Sequence, residues 1–337
     1  MSTDRRAQRI VIAGASSLLG GEVKTVLEES RFAGWDLRLV DEEDVAGTLT
    51  EAAGEAALIQ RIEDDTFHGA RFAFLTGSAD FAKQCIGPAK DAGATILDFS
   101  RASLADPDAT PWFPRIEALT GKILDKKSKI CSVFSAGGAA IAALTLALRR
   151  TGLKRLVAVL FSPVSEAGRE GIEELETQTS QLLSFQSVGQ KVFDAQAAFN
   201  LLPRFGSASR HDLHRRLLQT RAEVSAALSN TGLHGQIAMN LIHAPVFYGL
   251  TFSVWAELDG NADAAALKQT CKEAGLVFTE NADAGPCNVS VAGETNVLLR
   301  DPEPDAARAG TWWFWGAADN LRLPAWNGCK LAERLEG

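Results

Sequence analysis

Gly14 and Gly20 bracket a short loop, Gly14-Ala-Ser-Ser-Leu-Leu-Gly20, directly after the apolar run Arg9–Ala13. Glycines after a strand let the backbone approach a pyrophosphate at a helix N-terminus, where free N–H groups and the helix dipole favour anions. Ser16, Ser17, Leu18 and Leu19 fill the loop, and the usual middle glycine is absent. The glycines alone are weak evidence, since any strand-to-helix turn favours them. Asp41 follows the next strand-like run and leads an acidic stretch with Glu42, Glu43 and Asp44. A carboxylate there can accept from the ribose diol of NAD and repel the 2′-phosphate of NADP. A solvated acidic loop accounts for it equally well.

Other chemistry-bearing residues read more plainly. His211 and His214 stand three apart, a spacing that can build metal sites. Arg215 and Arg216 follow at once and would repel a cation, so a solvated helix start is the better reading and no metal site is expected. The five cysteines (Cys85, Cys131, Cys271, Cys287, Cys329) are scattered, odd in number and without a CxxC pair. They indicate neither a disulfide framework nor zinc, and they fit a reducing cytoplasm. Trp312, Trp313, Phe314 and Trp315 look like a ligand box, but strand alternation makes them core on one face and interface on the other.

The elements that must position these residues fall into two styles. Short apolar runs at Arg9–Ala13, Trp35–Val40, Arg71–Leu75 and Thr95–Asp98 alternate with helical stretches, including Asp80–Asp91. That rhythm predicts a parallel, doubly wound α/β sheet. Ser100–Pro114 holds three prolines and reads as loop. Residues 128–147 read as a strand, a tight turn at Gly137-Gly138 and a helix beginning near Ala139. The N–H groups of that turn would form a nest open to sulfate or phosphate.

Beyond the turn, helices are expected over Arg169–Phe185 and Asp212–Ser229. Strands are expected over Leu156–Ser162, Gln236–Ile242, Thr251–Leu258, Val289–Leu299 and Thr311–Gly316, and a final helix over Leu321–Leu335. This is an α+β domain with a mixed or antiparallel sheet.

With 337 residues, 46% hydrophobic and 23% charged, the chain is of ordinary globular composition and long enough for two cores. Its net charge of −8 leaves no basic footprint for nucleic acid. No apolar run reaches the ~18 residues of a membrane span.

Five runs, in order, resemble the aspartate-semialdehyde dehydrogenase family. They are Gly-Ala-Ser-Ser-Leu-Leu-Gly at 14–20, Leu-Asp-Phe-Ser-Arg-Ala at 97–102, and Pro-Val-Ser-Glu-Ala-Gly-Arg-Glu-Gly-Ile-Glu-Glu-Leu-Glu-Thr-Gln-Thr at 163–179. Ala-Phe-Asn-Leu-Leu-Pro at 198–203 and Asp-Asn-Leu-Arg at 319–322 complete the set. The third is long and specific, and together they span nearly the whole chain. The resemblance implies a Rossmann-like domain of 1–134 with 321–337, the C-terminal helix packing back onto it, an α+β catalytic and dimerisation domain of 135–320, and a homodimer. It also implies a dinucleotide site at Gly14, Ser16, Ser17, Leu18, Leu19, Gly20, Asp41 and Asn320. NAD or NADP would bind there, NAD favoured and neither essential.

Carried over residue by residue, the family's active positions do not survive. The nucleophilic cysteine corresponds to Gly138, the substrate-orienting glutamine to Ser162 and the substrate-carboxylate arginine to His243. The general-base histidine corresponds to Leu250 and the phosphate-binding arginine to Leu104, with Arg101 nearby. Cys131 lies seven residues before Gly138, on the order of 20 Å away along a strand. The chain most resembles the non-catalytic bacterial paralogues. The expected protein is a dimeric pseudoenzyme with no partner among nucleic acids or membranes. The alternative is an NAD(P)-dependent oxidoreductase of the same family that forms no thioester.

Overall fold

The computed structural model describes residues 8–52, 54–229, 231–233, 235–259, 262–279 and 285–337. The chain divides into two compact units. One comprises Met1–Pro114, Ile123–Phe134 and Pro324–Gly337; the other comprises Arg115–Lys122 and Ser135–Leu323.

The first unit is built on strands β1 (Arg9–Ala13), β2 (Asp36–Asp41), β5 (Gln60–Arg61), β6 (Ala70–Leu75), β7 (Thr95–Asp98), β8 (Ala109–Trp112) and β9 (Ile130–Val133). A small antiparallel hairpin, β3 (Leu49–Ala52) with β4 (Glu55–Leu58), stands apart from this sheet. The seven strands are ordered β5-β2-β1-β6-β7-β9-β8, every pair parallel. The strand order reverses between β1 and β6, which makes their carboxyl ends the topological switch point where ligands bind in such sheets. Continuous apolar runs explain the strands: Ile10, Val11 and Ile12 are fully buried, as are Phe72, Ala73, Phe74 and Leu75.

Helices α1 (Leu18–Glu28) and α2 (Ala79–Asp91) follow β1 and β6, and both start on serine caps. Ser17 accepts from the Gly20 N–H and Ser78 from the Phe81 N–H. The C-terminal helix Arg322–Glu336 sets Gly328 so close to the Phe99 ring that no Cβ fits between them. Arg71 anchors its end through a 2.8 Å ion pair with Glu336.

Two expectations for this unit need correction. The Pro-rich stretch 100–114 is not all loop: Ala109–Trp112 is a strand despite Pro111. β8 lies at the edge of the sheet, where a missing N–H costs no ladder bond. The helix after β9 starts at Ala136, three residues earlier than expected.

That helix, α4 (Ala136–Arg149), opens the second unit's main run, after the short α3 (Ile116–Thr120). Its side chains are buried from Ala136 to Leu148, so it is apolar all round as a central helix must be. Around it stand β10 (Leu153–Ser162), α5 (Gly168–Leu183), α6 (Leu213–Ala227), β11 (Ile237–His243), β12 (Leu250–Leu258), α7 (Ala264–Glu273), β13 (Val277–Phe278), β14 (Leu298–Leu299), β15 (Glu303–Pro304) and β16 (Thr311–Ala318).

The sheet runs β11-β10-β12-β16-β14-β13, with β15 also on β16. It is mixed: β10 and β11 are parallel, as are β13 and β14, while β12 and β16 are antiparallel to their neighbours. The strand expected over 289–299 shrinks to Leu298–Leu299, because the residues from 288 to 293 form turns. In β12 the alternation holds: Phe252, Val254 and Ala256 are fully buried, whereas Ser253 and Trp255 on the other face are half-buried.

Candidate functional site

In the first unit, the loop Gly14–Gly20 ends β1 at the switch point. Gly14 has φ +91°, and a Cβ there would lie 2.8 Å from the Thr76 carbonyl carbon and closer still to Gly77. Two glycine loops thus meet backbone to backbone. Ser17 caps α1 and donates to the Gly14 carbonyl at 2.8 Å. Asp41 is only 6% exposed: one carboxylate oxygen accepts from the Ser16 N–H at 2.7 Å and the other from the Glu42 N–H at 2.9 Å. Asp41 therefore braces the loop from within. Beside it opens a cavity of about 800 Å³ lined by Asp41, Glu42, Glu43, Arg61, Ile62, Glu63, Asp64, Phe81 and Gln84. The acidic stretch is thus one wall of a cleft.

In the second unit the turn ahead of α4 collects residues from four elements. Ser135 caps the helix by accepting from the Gly138 N–H at 3.1 Å. From α6, Glu223 reaches the same turn. Its Oε1 accepts from the Ser135 N–H at 2.8 Å and its Oε2 from the Ser135 hydroxyl at 2.5 Å. Glu223 is 0% exposed. A Cβ on Gly138 would lie 2.8 Å from the Glu223 carboxyl carbon and nearer still to Oε2. Beside Gly137 a Cβ would meet Leu160 at 2.8 Å and Leu250 at 3.3 Å. Of the N–H groups expected to form an anion nest, that of Gly138 is taken by the Ser135 hydroxyl, while the Glu223 carboxylate takes the donors of Ser135 itself.

The other sequence-derived positions are packed away. Ser162 and His243 are buried register partners on β10 and β11. His243 is 1% exposed, lies against the rings of Phe193 and Phe205, and shares a 3.1 Å hydrogen bond with the Ala197 carbonyl. The segment carrying Ala197 is itself held by α5. Glu174 accepts from the N–H groups of Lys191, Val192 and Phe193, and Gln178 from those of Ala197 and Ala198.

Asn320 belongs to the second unit. Its amide oxygen accepts from the Gly249 N–H at 2.9 Å, and its amide nitrogen donates to Ser165 at 3.0 Å. Arg101 adopts φ +68° and Leu104 is half-buried, both in the first unit.

Four cysteines are buried, and desolvation lifts the Cys131 thiol to about 11. Cys287 is exposed, and hydrogen bonds around Ser290 lower its pKa. It precedes Asn288, whose amide donates to the Gly249 carbonyl. Among the described residues no cluster of three metal-ligating side chains occurs, and no helix is long and apolar enough to cross a membrane.

Burial lowers the pKa of His243 below its ordinary 6.5. The unfolded chain then binds this proton more readily than the folded one, so stability is full above about pH 6.5 and falls as pH drops below it. His243→Gln should flatten the decline in Tm between about pH 7 and pH 5 relative to the wild type. An unchanged slope would remove His243 from that pH dependence.

The semialdehyde dehydrogenase dimerisation-domain model matches residues 145–323. A USG-1 protein homolog of Azotobacter vinelandii is 30% identical, with 97% of each chain covered. The chain belongs to the semialdehyde dehydrogenase family. The aspartate-semialdehyde dehydrogenase of Rickettsia conorii is 25% identical, again over 97% of both chains. A probable aspartate-semialdehyde dehydrogenase from Pseudomonas aeruginosa has the same fold, at TM-score 0.85 and 24% identity, with 98% of this chain and 99% of that one covered.

Within this semialdehyde dehydrogenase framework, Glu223 was not among the positions read from sequence. Its only signal was a carboxylate on the buried stripe of α6, beside Thr220 and Val224.

Proposed function

We propose that this member of the semialdehyde dehydrogenase family performs no thioester-forming dehydrogenation. It keeps the fold as a dimer that binds a dinucleotide. The observation that carries this reading is the Glu223 carboxylate beneath Gly138, filling the space from which a side chain at 138 would emerge. Leu250 and Leu160 add apolar walls where a general base would need a polar neighbour. The alternative, hydride transfer without a covalent intermediate, needs polar groups converging on the nicotinamide position, and His243 would be one of them. His243 instead faces Ala197 and two phenylalanines. The deciding assay is phosphate-dependent NAD(P)H formation from aspartate semialdehyde by the purified wild type.

The first unit is the dinucleotide-binding part in this reading, and 135–320 the dimerisation part. The glycine loop at the switch point and the first-turn N–H groups of α1 suit a pyrophosphate. The carboxylates lining the cleft beside Asp41 disfavour a 2′-phosphate. One such carboxylate within a few ångströms costs on the order of 1–4 kcal/mol. Calorimetry should give NAD at least about tenfold tighter binding than NADP. Tighter NADP would overturn this preference, and absence of both would make the loop purely structural.

Dimerisation rests on the half-exposed face of the second sheet. Val157, Trp255 and Trp313 are cross-strand neighbours there, as are Val159, Ser253 and Trp315. Trp313 is 44% exposed, and Trp255 and Trp313 both donate to Asp305 from their indole nitrogens, at 3.0 and 3.1 Å. Pre-ordered aromatics of this kind make interface anchors. Sedimentation should show a dimer at micromolar concentration, with Trp313→Arg weakening it by about 30-fold or more. A wild-type monomer would refute the dimer.

A further inference from the structure

We propose that Glu223 is a built-in ligand of the α4 N-terminus: its carboxylate holds the seat beneath position 138, and Gly138 and Glu223 are an obligate pair. The inference deepens the reading that position 138 does no chemistry, and it rests on that reading.

Ser135 supplies the donors of the seat. Its N–H and its hydroxyl both point at one carboxylate, bonding Oε1 and Oε2 separately at 2.8 and 2.5 Å. That two-pronged arrangement is how a protein binds a carboxylate ligand, and here the ligand is tethered to α6. The α4 dipole favours the same negative charge. A carboxylate with no exposure cannot swing away without leaving its charge buried and its donors empty. The seat is therefore rigid. A Cβ at 138 would run into the Glu223 Oε2 and would stand 3.1 Å from the Glu223 Cβ. Glycine at 138 has a steric cause that lies 85 residues downstream, at Glu223.

This reverses the usual expectation for a helix position. Gly138 lies in the first turn of α4, where alanine is intrinsically the better helix former. With Glu223 in place, Gly138→Ala must be destabilising. With Glu223→Ala the clash with the carboxylate is gone and only the 3.1 Å approach to the residue-223 Cβ remains, so the same change should cost much less.

The test uses the full-length protein and reads thermal melting in four forms: wild type, Gly138→Ala, Glu223→Ala and the double variant. Gly138→Ala should lower Tm by roughly 5 °C or more in the wild type and by much less in the Glu223→Ala background. If Gly138→Ala does not fold, recovery of folding in the double variant reads the same coupling. Acetate supplies the second readout, because alanine plus acetate has the atoms of the lost glutamate side chain. Sodium acetate at tens of millimolar should raise the Tm of Glu223→Ala, should not raise that of the wild type, and should exceed sodium chloride at equal ionic strength.

Equal costs of Gly138→Ala in both backgrounds, or acetate doing no more than chloride, would overturn the proposal. Neither readout involves turnover. Dehydrogenase activity in the wild type would thus defeat the functional reading separately from the seat.

Discussion

Purified wild-type protein is expected to form no NAD(P)H from aspartate semialdehyde and phosphate, and Gly138→Cys is expected to leave that at zero while lowering the melting temperature. Covalent catalysis needs a nucleophile and a base within hydrogen-bond reach of it. The turn offers glycine for the first and leucine for the second. A missing base alone removes about 10²–10⁴-fold of rate, and groups that act as a unit lose activity together rather than in instalments.

Restoring the thiol meets a further barrier. The cysteine Cβ would overlap the Glu223 carboxylate. Either the helices spread, at about 1–3 kcal/mol for overpacking, or a buried charge loses its partners, at about 3–5 kcal/mol. The first route is the cheaper, so a folded but less stable and inactive Gly138→Cys protein is the expected product. Phosphate-dependent turnover by the wild type would overturn this account. If that turnover vanished in Cys287→Ser, the exposed thiol beside Asn288 would be identified as its nucleophile.

The second large effect is on folding. Gly14→Ala should destabilise the first unit by about 3–5 kcal/mol and abolish dinucleotide binding. Two causes act together. Residue 14 sits at φ +91°, where a side chain is strained, and its Cβ would strike the backbone of Thr76 and Gly77 rather than a yielding side-chain tip. The loop cannot retreat, because Gly14 and Ala15 both donate to the Val40 carbonyl and Ser16 is held by Asp41. Urea unfolding measures the loss. Gly21→Ala is the control, since a Cβ at 21 meets nothing within 4 Å and should cost little. Equal effects at the two positions would show that the close approach is unimportant.

The architecture was legible because its signals are local and periodic. Buried parallel strands read as unbroken apolar runs, as at Arg71–Leu75, and a half-covered strand alternates, as at Thr251–Leu258. Where local signals conflict, the reading failed. Pro111 argued for loop, yet an edge strand tolerates proline. The glycines argued for a turn, yet Ser135 caps a helix that takes both into its first turn. Small β-branched runs near 289 argued for strand and fold as turns.

Sequence by itself determined that the chain has the semialdehyde dehydrogenase framework, and the resemblance places glycine, serine, histidine and leucine where the family's working residues are expected. Only the tertiary structure decided what surrounds those positions. Asp41 reads as a ribose ligand from its place after β2, but its oxygens brace the loop at Ser16. Glu223 reads as one more carboxylate on an amphipathic helix, but the packing of α6 against α4 brings it onto Ser135. The physical reason is the same in both cases. Which donor a carboxylate meets depends on the approach of two elements distant in sequence, and periodicity reports that a face is buried without reporting against what.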